Sequence, residues 1–164
     1  MSMDGKLRSM VSVFLVEEDR VCLLYRQGSR VVNDKWIGTA GGHMEGEEIG
    51  DAKAAMVREL GEETGLTEED LQGLTIRYIV MRNTGKELRQ NYYFFAAPKE
   101  KGLLPSSNEG TCRWFSKEEI TELPMPDSAK DTILHWFAEG RYTDKLYIGI
   151  NVGGKIAFSE LPEV

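Results

Sequence analysis

Residues 41–66 constrain the fold and chemistry of this chain more than any other segment. They read GGHMEGEEIGDAKAAMVRELGEETGL, a glycine-rich stretch followed by an alanine-rich stretch with several glutamates. Asp51 is a suitable N-cap and Gly65 stands at a suitable stop position, so we predict a helix over residues 51–64 between two loops. The rest of the chain must then pack on one side of this helix and leave its acidic side accessible.

The acidic residues of the predicted helix share one face. An α-helix turns by about 100° per residue, so Glu59, Glu62 and Glu63 project their carboxylates in one direction. An apolar stripe about 120° away is formed by Met56, Val57, Leu60 and Thr64. Like charges at this spacing repel each other, and a bound divalent cation would relieve the repulsion. Oxygen-only ligands favour Mg²⁺ or Mn²⁺ over Zn²⁺. If only the carboxylates are considered, the alternative interpretation is a solvated acidic face.

Strand and helix patterns alternate along the rest of the chain. We predict three hairpins, formed by residues 9–17 with 20–25, 75–82 with 88–97, and 145–151 with 155–159, and a strand over 110–115. Ser116 with Glu119 forms a capping-box pattern that begins a short helix to about Leu123. A further helix begins at Pro126 and runs to Ala138. The glycine-rich residues 27–42 are predicted to form a long loop or lid. One α/β domain with a mixed sheet accounts for this order.

Length, composition and net charge limit the classes of protein and of binding partner that fit this chain. A chain of 164 residues with 41% apolar residues suits a single domain over residues 1–164, in which residues 1–5 resemble an expression scar or a frayed end. The net charge of −7 disfavours nucleic acid and anionic membranes as partners. Cys22 and Cys112 are too few for a disulfide framework. With no signal-peptide pattern and no membrane-spanning apolar run, we expect a soluble cytoplasmic protein.

Residues 41–66 resemble the Nudix box, G-x5-E-x7-R-E-U-x-E-E-x-G-U, in which U is a bulky aliphatic residue. Residues 58–66 match the second half of this pattern completely, and Gly41 and Gly42 match its opening. Because the pattern has many fixed positions, an accidental match is a poor explanation of the acidic face. The chain is therefore similar to Nudix enzymes.

The loop before the helix departs from the pattern. Counting from Gly41, the first glutamate of the box is Glu47, and ten residues separate it from Arg58. Counting from Gly42, it is Glu48, and nine residues separate it from Arg58, where the pattern has seven. In the family this glutamate helps to hold the arginine, and both candidates stay open.

The resemblance implies a Nudix-type α/β/α sandwich with a mixed sheet and a loop–helix–loop catalytic motif. It also implies a pyrophosphohydrolase that uses Mg²⁺, or Mn²⁺ as a substitute. The implied metal ligands are the Gly41 carbonyl, Glu59, Glu62, Glu63 and Glu109. Arg58 would orient the catalytic Glu59 and Glu62, and the general base would be Glu59 or Glu109. An exposed loop acid is the alternative interpretation of Glu109.

Shorter matches resemble MutT-type enzymes that hydrolyse oxidised purine nucleoside triphosphates. Arg26 looks like a phosphate-binding arginine, with a surface arginine as the alternative. Asp127 could read the purine edge, with an N-cap as the alternative. Ile37 and Met125 stand where some members carry a base-reading asparagine and a stacking tryptophan. The aromatic residues 92–95 could offer a stacking surface instead, although sheet packing is their commoner role.

We expect the substrate to be a small nucleotide, such as the oxidised nucleotide 8-oxo-dGTP, cleaved to a nucleoside monophosphate and pyrophosphate. The alternatives within the family are ADP-ribose, a nucleotide sugar or a dinucleoside polyphosphate. The alternative of another class is a non-catalytic domain that senses a nucleotide. Such a domain would be expected to lose box glutamates, whereas this chain keeps all three. A homodimer is left open.

Overall fold

The structure, a computed structural model, describes residues 4–26 and 35–164. Within these residues nine strands pair into one sheet. The strands are β1 (Leu7–Glu17), β2 (Arg20–Arg26), β3 (Trp36–Gly38), β4 (Ala40–His43), β5 (Leu71–Asn83), β6 (Leu88–Pro98), β7 (Gly110–Ser116), β8 (Tyr147–Val152) and β9 (Lys155–Glu160). The helices are α1 (Ala52–Thr64), α2 (Lys117–Ile120) and α3 (Asp127–Ala138). No helix in this part of the chain is long and apolar enough to cross a bilayer.

Two parallel pairings make the sheet mixed. Its order is β3-β2-β1-β6-β5-β8-β9, with β4 paired to β1 and β7 paired to β2. β1 runs parallel to β6, and β5 runs parallel to β8. The other pairs are antiparallel. The C-terminal hairpin of β8 and β9 is thereby joined to the same sheet as the N-terminal strands.

Alternating side chains on β1 give the sheet two buried faces, because successive residues of a strand point to opposite sides. Val13 and Leu15 pack on the face covered by α1, and Phe14 and Val16 pack on the face covered by α3. The helical residues buried against these faces are Ala55, Met56 and Leu60 of α1, and Ala129, Ile133 and Phe137 of α3. The result is the α/β/α sandwich that the sequence predicts.

The predicted hairpins and helices are confirmed, with small differences at their ends. The N-terminal, central and C-terminal hairpins form as antiparallel pairs. Ser116 and Glu119 make both hydrogen bonds of the predicted capping box, but α2 ends at Ile120 rather than near Leu123. Residues 121–123 continue only as a turn, in which the Leu123 N–H donates to the Ile120 carbonyl.

The predicted loop over residues 27–42 is wrong in its second half. Residues 27–34 lie outside the described residues, but residues 36–38 and 40–42 belong to β3 and β4. The glycine content suggested irregular backbone, whereas these glycines serve close packing between strands. A Cβ at Gly38 would collide with the Ser12 side chain, and a Cβ at Gly41 would collide with the Val11 carbonyl.

Thr39 holds the junction between β3 and β4. This residue is completely buried at the fork where β1 and β2 separate. Its hydroxyl donates to the Cys22 carbonyl at 2.6 Å and accepts from the Leu15 N–H at 3.1 Å, while its own N–H donates to the Val13 carbonyl at 2.8 Å. These bonds fix β4, and with it the glycine pair, beside β1.

Candidate active site

Helix α1 forms as predicted because both of its ends are capped. The Asp51 side chain accepts from the Ala54 N–H at 3.0 Å, and Gly65 ends the helix in the left-handed region at φ 75°. Burial of Met56 and Leu60 against the sheet fixes the rotation of the helix about its axis. The predicted acidic side of α1 is therefore turned away from the core.

Arg58 lies at the centre of a carboxylate network. Its Nε and Nη2 donate to the two Glu48 oxygens at 2.6 and 2.8 Å, while its Nη1 donates to Glu59 at 3.0 Å and to Glu62 at 3.1 Å. The bidentate pair holds the pKa of Glu48 down at about 2. Glu47 makes no ion pair among the described residues, so the structure assigns Glu48 as the first glutamate of the box.

The Glu59 carboxylate occupies the space above Gly42. A Cβ at Gly42 would overlap all three carboxylate atoms, so glycine is required for Glu59 to lie there. Only 13% of the Glu59 side chain is exposed. Burial raises the pKa of Glu59, and the hydrogen bond from Arg58 opposes that rise.

The Glu63 carboxylate is bound to the backbone of β4. It accepts from the Gly41 N–H at 3.0 Å. Burial, together with the nearby charges of Glu59 and Glu109, raises the pKa of Glu63 to about 7, although the Gly41 hydrogen bond opposes the rise. In an antiparallel pair the N–H and C=O of one residue point to the same side, so the Gly41 carbonyl also points away from β1.

Glu109 comes to the same cluster from the loop before β7. Its carboxylate lies 3.5 Å from Arg26, the last residue of β2, and both side chains are more than one-third exposed. The Arg26 Nε is buried and finds no hydrogen-bond partner among the residues that the structure describes. Asn108, which the sequence did not single out, bonds to the end of α1. Its only sequence signal was its place directly before Glu109.

The donor set fits a hard divalent cation, since every candidate ligand atom is an oxygen. Within the described ranges, however, no three acidic, histidine or cysteine side chains converge closely enough to hold one. Arg58 engages Glu59 and Glu62, and the Gly41 N–H engages Glu63. Chelation therefore requires some of these carboxylates to rotate. Glu62 has the most freedom to do so, because its side chain is 60% exposed.

The predicted base-contacting residues do not all lie together. Met125 packs in the core on the α3 side, whereas Ile37 packs against the cluster on the α1 side. The two side chains therefore pack on opposite sides of the sheet. Asp127 is the exposed first residue of α3, and its side chain does not cap the helix, whose N-cap is Pro126. The N-cap alternative for Asp127 is therefore wrong.

The aromatic residues 92–95 pack within the sheet. Tyr93 and Phe95 belong to the core on the α3 side, and Phe94 belongs to the core on the α1 side, with Tyr92 packed against it. Tyr93 stacks on Phe14 at a ring-centroid distance of 5.3 Å. Sheet packing thus accounts for these residues without a base platform.

Comparison with known proteins places this geometry in context. The model of the NUDIX domain family matches residues 6–137. The MutT protein from Bacillus halodurans shares 26% sequence identity over 96% of this chain and 99% of that chain, with a TM-score of 0.65. None of the curated proteins matches the chain's sequence.

Two further solved structures share the fold at lower identity. A NUDIX hydrolase from Nitrosomonas europaea is 17% identical, covers 90% of this chain and 80% of that chain, and superposes with a TM-score of 0.67. The MutT protein from Methanosarcina mazei Go1 is 21% identical, with 84% and 98% of the two chains covered and a TM-score of 0.63.

Proposed function

The chain belongs to the Nudix hydrolase family, and we propose that it cleaves the diphosphate linkage of a nucleoside triphosphate into a nucleoside monophosphate and pyrophosphate. Members of this family are pyrophosphohydrolases that act on small nucleotides and generally use divalent metal ions. The observation that carries the proposal is the network around Arg58, which gathers the box glutamates on the accessible side of α1.

We propose Mg²⁺ as the cofactor, with Mn²⁺ as a substitute. The Gly41 carbonyl and the carboxylates of Glu59, Glu62, Glu63 and Glu109 would hold it. A divalent ion in such a set neutralises phosphate oxygens and lowers the pKa of a water. Arg58 orients Glu59 and Glu62, and Glu59 or Glu109 accepts the proton of the attacking water.

For the substrate we propose an oxidised purine nucleotide such as 8-oxo-dGTP. Arg26 would bind its phosphates, because its guanidinium lies beside the carboxylate cluster and is 37% exposed. Asp127 would contact the base with its exposed carboxylate, and Met125, two residues earlier in the chain, would lie on the same side of the sheet. Ile37 is left out of this base site because its side chain packs on the opposite face of the sheet.

The remaining properties follow the same proposal. The net charge of −7 argues against nucleic acid and anionic membranes as partners, and we propose a small nucleotide as the substrate. We propose a cytoplasmic location. We also propose that residues 1–164 form one domain, because β8 pairs with β5 and so joins residues beyond the family match to the same sheet.

The test is a hydrolysis panel with Mg²⁺ over unmodified and oxidised nucleoside triphosphates, ADP-ribose and nucleotide sugars, with product identification. Glu62→Gln should abolish most of the activity and still fold, because this side chain is 60% exposed. Glu69→Gln, the same change at an exposed position beyond α1, is the matched control and should keep full activity. Unchanged turnover of Glu62→Gln would remove the metal proposal, and hydrolysis confined to ADP-ribose would overturn the proposed substrate.

A further inference from the structure

Asn108 joins the loop before β7 to the end of α1. Its side-chain amide donates to the Glu62 carbonyl at 2.9 Å, and its backbone N–H donates to the Glu63 carbonyl at 3.0 Å. The last carbonyls of a helix have no partner within the helix, so these two bonds satisfy groups that otherwise need water. The bonded carbonyls belong to two of the residues whose side chains form the acidic cluster.

The residues around Asn108 are bonded to one another and to β2. The Glu109 N–H donates to the Ser107 hydroxyl at 3.1 Å, and Ser107 forms an antiparallel bridge with Gly110. Gly110 lies opposite Arg26 on β2 and packs against the Tyr25 carbonyl, where a Cβ would not fit. The backbone of Glu109 is therefore held from one side by β2 and from the other side by α1.

We propose that Asn108 is a positioning residue that sets the Glu109 carboxylate against the carboxylates of α1. This inference rests on the proposed function, because it assigns Glu109 to the metal cluster. Asparagine suits the position because its short side chain carries an amide donor that reaches the Glu62 carbonyl while its backbone N–H reaches the Glu63 carbonyl. Aspartate has nearly the same shape but lacks the donor, and its charge would meet the negative end of the helix dipole.

The experiment measures Mn²⁺ binding to the metal-free protein by electron paramagnetic resonance. The variants are Asn108→Ala, Glu109→Gln and the double variant, compared with the unaltered chain. The Asn108 side-chain bond is solvent-exposed, so water can replace it and Asn108→Ala should fold. Asp51→Ala is the matched control, because it removes a cap from the other end of the same helix without touching the loop.

We expect Asn108→Ala to weaken Mn²⁺ binding by about 10-fold, as is typical when the residue that orients a ligand is removed. In the Glu109→Gln background the same change should alter binding by less than about twofold, because the residue it positions is no longer a ligand. Asp51→Ala should lower the thermal midpoint at least as much as Asn108→Ala and leave Mn²⁺ binding unchanged.

Four results would overturn the inference, and only the last of them would also overturn the proposed metal site. Equal losses from Asn108→Ala with and without Glu109 would show that it acts on the helix generally, and so would a matching loss of binding in Asp51→Ala. Unchanged Mn²⁺ binding in Asn108→Ala would remove its role. Absence of Mn²⁺ binding by the unaltered chain would remove the metal proposal itself, together with this inference.

Discussion

Gly42 provides the sharpest test of where the structure places Glu59. A Cβ at this position would lie 2.6 Å from Cδ and 2.8 Å from Oε2 of the Glu59 carboxylate. Ordinary contact begins at 3.4 Å and Oε1 lies closer still, so Gly42→Ala forces the carboxylate to retreat by about 1 Å. The backbone of Gly42 lies outside the left-handed region, so alanine introduces no backbone strain.

The expected result is loss of activity with the fold retained. A misplacement of about 1 Å in a catalytic group can reduce the rate about 10²-fold, so kcat/KM of Gly42→Ala should fall by that order. The three atoms nearest to this position all belong to the Glu59 side chain, which can move, and the thermal midpoint should therefore change little. A Cβ at Gly41 instead meets the backbone of Val11 and Ser12, so Gly41→Ala should destabilise the fold by about 1–3 kcal/mol.

The assay compares kcat/KM with Mg²⁺ and the thermal midpoint across Gly42→Ala, Gly41→Ala and Gly46→Ala. Gly46 is the control, because a Cβ there has no atom within 4 Å and its backbone is also outside the left-handed region. Wild-type activity in Gly42→Ala would show that Glu59 does not work from the position beside β4. An equal loss in Gly46→Ala would show that any added side chain in this loop reduces activity, and that displacement of Glu59 is not the cause.

Two further predictions concern the other carboxylates. Glu48→Gln removes the bidentate partner of Arg58 and should reduce activity about 10- to 100-fold. Glu47→Gln, one residue away, should leave activity unchanged. Similar kcat/KM values for the two variants would refute the assignment of Glu48 as the first glutamate of the box. The Glu63 carboxyl has a folded pKa of about 7 against an ordinary value of 4.5. Protonation of this carboxyl therefore stabilises the metal-free fold fully below about pH 4.5, and that stabilisation is lost as the pH rises through about 7. A bound cation competes with that proton, so the rise in thermal midpoint on adding Mg²⁺ should grow across this range, and a pH-independent rise would contradict it.

Local sequence signals predicted the elements whose ends are determined within a few residues. Asp51 and Gly65 fixed the bounds of α1, and the capping box at Ser116 fixed the start of α2. Runs rich in Val, Leu and Phe predicted the N-terminal strands, because β1 buries side chains on both faces of the sheet. The box glutamates could be placed on one face of α1 because helical spacing determines the direction in which each side chain projects.

The remaining features depend on contacts that are distant in sequence. β3 and β4 were missed because the need for Gly38 and Gly41 comes from β1, which packs against them. The loop before α1 is longer than the Nudix pattern, and the choice between Glu47 and Glu48 depends on its path. A shift of one residue decides which carboxylate reaches Arg58. Ile37 was assigned to the base site because it stands where some family members carry a base-reading asparagine, and that match does not reveal which face of the sheet its side chain takes.

The hydrogen bonds of Arg58 show how one cation can serve the cluster with and without a metal. Arg58 makes two bonds to Glu48, at 2.6 and 2.8 Å, but only one each to Glu59 and Glu62, at 3.0 and 3.1 Å. Bidentate pairs with a carboxylate are stronger and more directional than single contacts. Arg58 can therefore release Glu59 and Glu62 to a divalent cation and remain anchored by Glu48. In the metal-free protein the Arg58 guanidinium relieves the repulsion among the carboxylates of α1. A bound divalent metal ion would relieve the same repulsion, so α1 should stay folded in both states.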